Sequence, residues 1–272
     1  WVAKYERDPD AEAPAGSASA SINDVARYLR LQLDEGRFDG KAVIDADALA
    51  VTHMPHMIPS LPRTQTSRTG FYGLGWNVRY GELGQVAIGH SGAFYLGAAT
   101  NINLLLGEGL GIAALTNAAP IGVAEAITND FLDIVRNGAP TVDWLGFYGM
   151  VFQSMRDAEA AEFDYGPAPS GARHPGPPAD YVGTYENGYY GPVVIAAEGD
   201  GLAMTLGPAD APTTRALMPY DGDTFTFETF GENAVGPTGA AFSRDPSGAV
   251  SELILEYYDR NGLGTFRHAA KN

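Results

Sequence analysis

The chain has 272 residues, 45% of them hydrophobic and 11% aromatic, enough for one large domain or two modest ones. Its 33 acidic residues against 17 basic ones give a formal charge of −16, which disfavours nucleic acid and anionic membrane surfaces as partners. Without cysteine there is no thiol nucleophile, disulfide framework or thiolate metal site, and no apolar run reaches the ~18 residues of a membrane span.

Residues 1–20 read as loop, and the opening WVAKYERDPDAEAPAG shows no signal peptide and reads as cut from something longer. Ser21 is an N-cap, with Asp24 three residues on, for an amphipathic helix from Ile22 to Glu35 that Gly36 stops. Asp39-Gly40 is a turn, and Asp45 caps a short helix to about Thr52, ended by Pro55. Residues 54–70 form an extended, proline-bearing loop. Phe71 to Val78 comes next as an aromatic-rich strand whose glycines allow close backbone approach.

Gln85–Ile88, Ala98–Leu106 and Gly111–Thr116 are three further apolar strands, with a hairpin turn at Gly107–Gly109. Between the first two sits the triplet His90-Ser91-Gly92. Val123 to Asn137 is a helix by its 3–4 apolar spacing, terminated by Gly138-Ala139-Pro140. The composition changes at Glu162, where a Pro/Gly-rich stretch without periodicity reads as a linker. Beyond it, eight short strands separated by Gly-bearing turns predict a small up-and-down barrel or sandwich: 183–185, 192–197, 202–206, 215–220, 224–229, 239–244, 251–257 and 265–268.

A polar triplet between apolar strands is where a scaffold presents working side chains. His90 sits where one strand ends and the next begins, and Gly89 and Gly92 clear space for a substrate against the backbone. Gly89-His90-Ser91-Gly92-Ala93 also has the letters of a nucleophile elbow, but Phe94 to Leu106 suit a strand instead of the helix an elbow needs. A triad histidine downstream would have to be His174 or His268. His53 and His56 stand three apart, yet Pro55 lies between them, so no metal and no cofactor are expected. Glu125, Asp130 and the run Asp157, Glu159, Glu162 read as solvated faces. Tyr185-Glu186-Asn187 and the pair Tyr189-Tyr190 read as core and turn residues of the barrel.

Taken in order, Tyr72-Gly73-Leu74-Gly75-Trp76, Gly89-His90-Ser91-Gly92-Ala93 and Gly111 to Asn117 (GIAALTN) resemble the C-terminal half of the serine β-lactamase-like and penicillin-binding-protein-like hydrolases. That family includes class C β-lactamases, D-alanyl-D-alanine carboxypeptidases, D-aminopeptidases and esterases. Its third motif, Lys-Thr-Gly or His-x-Gly, is matched by His90-Ser91-Gly92. Residues 178–268 resemble the lipocalin-like domain appended to such enzymes.

The resemblance implies an α+β fold, an antiparallel sheet with flanking helices, followed by a small all-β barrel. The implied divisions are 1–161, a linker at 162–177, and 178–272. His90 would serve as third-motif helper, and Ser91, Gly92 and Ala93 would line the acyl site. The implied substrate is a small amide, ester or peptide, and the implied location is periplasmic or secreted. The family's Ser-x-x-Lys is missing, because Phe38 and His268 stand three before Lys41 and Lys271, and Lys4 is preceded by Trp1. The one Tyr-x-Asn lies in the barrel. The chain therefore reads as the downstream part of an acyl-serine hydrolase whose partner is the missing N-terminal half of the same domain. The alternative is a non-catalytic relative that binds a ligand or a protein.

Overall fold

The structure, a computed structural model, describes residues 10–62, 64–81, 84–163, 165–231 and 233–269. The chain divides into two compact units at Ser154/Met155.

In the first unit a 3-10 turn at Asp10–Glu12 and a single helical turn, α1 (Ala13–Gly16), replace part of the predicted loop; residues 1–9 of that loop lie outside the described residues. Helix α2 (Ile22–Leu33) begins where the capping pattern places it. Ser21 Oγ accepts the Asp24 N–H at 3.3 Å and donates to its carboxylate at 2.7 Å, occupying an amide the helix itself leaves unpaired. The Gly36 N–H reaches back to the Leu31 carbonyl at 2.9 Å and ends it. A hairpin, β1 (Arg37–Phe38) and β2 (Lys41–Ala42), turns on Asp39-Gly40, and Asp45 caps α3 (Ala46–His53) through the Ala48 N–H at 3.0 Å.

Five antiparallel strands come next: β3 (Phe71–Tyr72), β4 (Asn77–Tyr80), β5 (Val86–Phe94), β6 (Ala98–Leu105) and β7 (Leu110–Thr116). They form one sheet in that order. Two strand expectations change. The predicted strand Phe71–Val78 is a hairpin, because Gly73 to Trp76 turn the chain and the Gly73 N–H closes on the Trp76 carbonyl at 2.7 Å. The strand predicted to end at Ile88 runs on to Phe94. The ladder to β6 is unbroken from Ala87↔Leu105 to Phe94↔Ala98, so pairing holds the polar triplet extended, and the turn falls at Tyr95–Gly97.

Alternation places Val78, Ile88 and Leu104 on one face, against Leu29 of α2, where Trp76 completes a small core. The opposite face meets α4 (Val123–Asn137). Helix α5 (Trp144–Glu162) was not foreseen. Its apolar residues do not collect on one buried stripe: Leu145, Phe147, Met150 and Met155 are all exposed, so the usual periodic signal is weak.

The second unit is a closed barrel of eight strands joined as a meander. They are β8 (Gly183–Glu186), β9 (Val193–Glu198), β10 (Gly201–Leu206), β11 (Thr213–Asp221), β12 (Thr224–Glu228), β13 (Pro237–Arg244), β14 (Val250–Leu255) and β15 (Thr265–His268), and β15 pairs with β8 to close the cylinder. All eight predicted strands are present. The interior is filled by side chains, with Tyr185, Met204, Phe227, Leu253 and Phe266 almost completely buried.

The stretch before the barrel is held against it. Arg173 bonds Asp221 through its guanidinium at 3.0 and 3.1 Å, and the Gly176 N–H meets Tyr181 Oη at 2.8 Å. Tyr181 Oη donates to Asp223 at 2.5 Å, and Arg244 grips both Asp223 oxygens at 2.9 Å while also reaching Asp180 at 3.1 Å. The Arg244 guanidinium holds the Asp223 carboxyl below the usual aspartate range, against its own partial burial. The group is ionised more readily in the folded than in the unfolded chain. Its contribution is therefore complete above the unfolded aspartate pKa of ~3.9 and is lost as pH falls through the lower folded value. Urea unfolding of the barrel at pH 7 and pH 3 is expected to show a loss from this group on the order of 1 kcal/mol after solvent screening, which Asp223→Asn removes.

Candidate active site

The site grows out of the β4–β5–β6 register. Arg79, Gly89, Ser91, Asn101 and Asn103 share the face that meets α4, because Ser91 pairs with Asn101, Gly89 with Asn103, and Asn77 with Gly89. Gly89 is required there. A Cβ at this position would lie 2.6 Å from Asn103 Oδ1 and 2.5 Å from the Ile102 carbonyl. Its absence lets the Asn103 side chain lie across β5 and meet Arg79, whose Nη2 donates to Asn103 Oδ1 at 2.7 Å.

From Asn103 a chain of polar groups runs under the sheet. Asn103 Nδ2 donates to Asn101 Oδ1 at 2.7 Å and to Thr128 Oγ1 of α4 at 3.2 Å. The Thr128 hydroxyl lies 2.5 Å from Asn101 Oδ1 and 3.0 Å from the Glu125 carbonyl. Asn101 Nδ2 donates to Ser91 Oγ at 2.8 Å. Asn101, Asn103 and Thr128 are all buried, so these bonds satisfy groups that would otherwise cost about 1–3 kcal/mol each.

His90 stands beside them. Its Nδ1 lies 2.5 Å from the Ser91 carbonyl and its Nε2 lies 3.0 Å from Tyr72 Oη. A carbonyl only accepts, so a neutral ring carries its proton on Nδ1, and Nε2 accepts a hydrogen bond from the Tyr72 hydroxyl. The β4 ladder stops at Asn77↔Gly89, so the β4 side of residues 90–94 has no strand partner among the described residues. That open edge offers alternate N–H and C=O groups to an extended ligand.

A cleft of about 230 Å³ opens here, lined by His90, Ser91, Asn101, Glu125, Asn129 and Tyr148, with Arg79 at its margin. Of the four residues picked from the sequence, His90 and Ser91 line it. Gly92 and Ala93 continue β5 toward the turn, exposed, and do not. Glu125 is not on a solvated face: it is 6% exposed, packed against the cleft, and its Oε2 has no hydrogen-bond partner among the described residues. The first turn of α4 points inward here, which the helix pattern did not reveal. Burial, and to a lesser degree the nearby Glu125 carboxylate, pushes the Tyr148 phenol up, while Arg79 and the bond from Asn129 pull it down.

Arg79, Asn101, Asn103, Thr128 and Tyr148 were not singled out from sequence. The available signal was the polar pair Asn101 and Asn103, two apart in an otherwise apolar strand.

The other candidates are accounted for locally. His53 Nε2 bonds Gln32 Oε1 at 2.7 Å and His56 Nε2 bonds the Val51 carbonyl at 2.8 Å, so the two rings do not converge. Glu159 and Glu162 both pair with Arg260 at 3.4 Å. Asn187 organises the turn after β8, accepting the Tyr189 and Tyr190 N–H groups at 2.8 Å. Among the described residues no three metal-binding side chains come together, and no helix is long and apolar enough to cross a membrane.

Known proteins share both parts of the chain. The β-lactamase family profile matches residues 1–135, and that of a domain of unknown function, DUF3471, matches residues 167–265. No curated protein matches. Among solved structures, the C-terminal domain of penicillin binding protein Rv0907 is 38% identical, over 37% of this chain and 93% of that one, with a TM-score of 0.32. The octameric penicillin-binding protein homologue from Pyrococcus abyssi is 18% identical over 91% of this chain and 46% of that one, with a TM-score of 0.37. SurE with D-Leu is 21% identical over 92% and 50%, with a TM-score of 0.31. The chain thus spans about half the length of the latter two. With a β-lactamase segment at residues 1–135 followed by a closed barrel, the chain belongs to the β-lactamase and penicillin-binding-protein-like family and is a relative of its serine hydrolases.

Proposed function

We propose that this chain forms one wall of an acyl-serine hydrolase site acting on amide or ester substrates, and that the nucleophile comes from a segment outside these 272 residues. The observation that carries the reading is the open edge of β5 beside the Tyr72–His90 pair and the Ser91 hydroxyl. An acyl substrate laid along that edge would find backbone donors, a hydroxyl and an imidazole within one short cleft. A backbone N–H so placed supplies ~3 kcal/mol of transition-state stabilisation when it faces a developing oxyanion. His90 holds the Tyr72 hydroxyl and helps fix the ligand. Ser91, Gly92 and Ala93 form the acyl-site strand.

No Ser-x-x-Lys occurs in the sequence, so no serine here has the lysine that activates the family's nucleophile. The outward residues Ile127, Ile134 and Val135 of α4, about half exposed, give a nucleophile-bearing segment an apolar surface to pack on.

The test is hydrolysis of nitrocefin and of a p-nitrophenyl ester by the pure chain. No enzymatic turnover is expected from it alone. Turnover is expected on mixing with a polypeptide that carries the family's Ser-x-x-Lys and Tyr-x-Asn segments. A mixture that stays inactive while the two pieces demonstrably associate would favour the non-catalytic binding relative.

A further inference from the structure

The cleft holds a carboxylate that the chain itself leaves unanswered. Glu125, in the first turn of α4, is 6% exposed and lines the cleft, and its Oε2 has no hydrogen-bond partner among the described residues. The helix N-terminus favours a negative charge there. It does not replace a partner, because an ionised oxygen withdrawn from water loses solvation that only a donor or a cation restores.

Asn129 stands one turn further along the same helix and also lines the cleft. Its Nδ2 donates to the Glu125 carbonyl at 2.8 Å and to Tyr148 Oη at 3.1 Å. A carbonyl only accepts, so the amide is fixed with its nitrogen on that side, and both of its hydrogens are used. Asn129 Oδ1 is left to accept, and no bond to it is present among the described residues. The charged and titratable groups nearby do not supply the missing donor. Arg79, at the margin, gives its Nη2 to Asn103 Oδ1 at 2.7 Å. His90 is turned toward Tyr72 and the Ser91 carbonyl. The Tyr148 phenol, pushed up chiefly by burial, adds no positive charge.

We propose that Glu125 and Asn129 form a subsite for an ammonium group of the ligand, so that the cleft selects acyl compounds with a free amine, such as amino-acid or peptide amides and esters. A primary ammonium brings a positive charge and three donors to two acceptors that lack one. The cleft, about 230 Å³, is smaller than the ~300–1,000 Å³ of sites for drug-sized ligands, which suits a small head group. The substrate class rests on the reading of the cleft as an acyl site; the ammonium subsite does not, and its test needs no turnover. Absence of hydrolysis would count against the proposed function and leave the subsite standing. Failure of binding would remove the subsite and leave the wall of the acyl site in place.

The experiment is an NMR titration of the full chain at pH 7, where an α-amino group of ordinary pKa about 8 is mostly protonated. The probes are glycinamide and N-acetylglycinamide, which share the carboxamide and differ in the ammonium. Glycinamide is expected to shift the Glu125 and Asn129 resonances, the Asn129 side-chain amide among them, and to saturate. N-acetylglycinamide should bind at least about tenfold more weakly, the scale of one hydrogen bond to a charged group. Glu125→Gln keeps the shape and removes the charge. It should weaken glycinamide about tenfold, leave N-acetylglycinamide unchanged and not lower the urea midpoint, since it relieves an unpaired buried charge. Three results would each overturn the proposal. The first is equal affinity for the two probes, and the second is glycinamide binding that ignores Glu125→Gln. The third is a marked loss of stability in that variant, which would show the carboxylate already paired within the chain.

Discussion

Replacing Gly89 with alanine is expected to destabilise the sheet-bearing unit by about 3 kcal/mol, at the upper end of what one added methyl does in a well-packed place. The new Cβ would sit 2.5 Å from the Ile102 carbonyl and 2.6 Å from Asn103 Oδ1, both too close for ordinary contact. The first neighbour is backbone in the central β5–β6 ladder and cannot swing away. The second is the oxygen that receives Arg79, so relieving that clash by moving the side chain breaks the start of the polar chain. Urea unfolding followed by tryptophan fluorescence, to which Trp76 in this unit's core contributes, reads the effect. Gly107→Ala is the control. No atom comes within 4 Å of its would-be Cβ, so it should change stability by less than about 0.5 kcal/mol. Equal losses for the two variants would mean that Gly89 is not crowded.

Phe242→Ala is expected to cost the barrel about 4 kcal/mol. The ring is 6% exposed and is the hub of an aromatic cluster, with centroids 4.9 Å from Tyr181, 5.7 Å from Tyr185 and 5.7 Å from Phe225. Three ring contacts vanish together. Their partners stand on the strands and turn of a closed cylinder, which has no free edge to move inward and fill the void. Phe242→Leu fills most of the space and should cost less than half as much. Denaturant unfolding of the full chain followed by near-ultraviolet circular dichroism, which reports tyrosine packing, separates the two. A loss under about 1 kcal/mol for the alanine variant would show that the cluster is loosely packed.

The barrel was legible in the sequence because its strands are short, evenly spaced and cut by Gly-bearing turns; each of these properties is local. The caps at Ser21 and Asp45 were legible for the same reason, since capping is decided within four residues. What escaped notice depends on pairing across the sheet. His90-Ser91-Gly92 looked like a break between strands because polar residues interrupt an apolar run, yet the ladder to β6 carries it extended as far as Phe94. Glu125 looked solvated because a carboxylate in the first turn of a helix usually is, and only the packing of α4 on β6 buries it. Arg79 and Asn103 stand 24 residues apart and meet because Gly89 leaves room between them. The His90 part of the candidate site could be read from the motif, while its polar floor could not.

That the chain supplies a wall of the site and no nucleophile is tested most directly by the hydrolysis of nitrocefin and a p-nitrophenyl ester, measured on the pure chain beside its Ser91→Ala variant. The predicted result is that neither protein turns over either substrate enzymatically, and that the mass of the intact chain is unchanged after incubation. Saturable turnover by the parent chain, with an acyl adduct on Ser91 and loss of both in Ser91→Ala, would contradict it and make Ser91 the nucleophile.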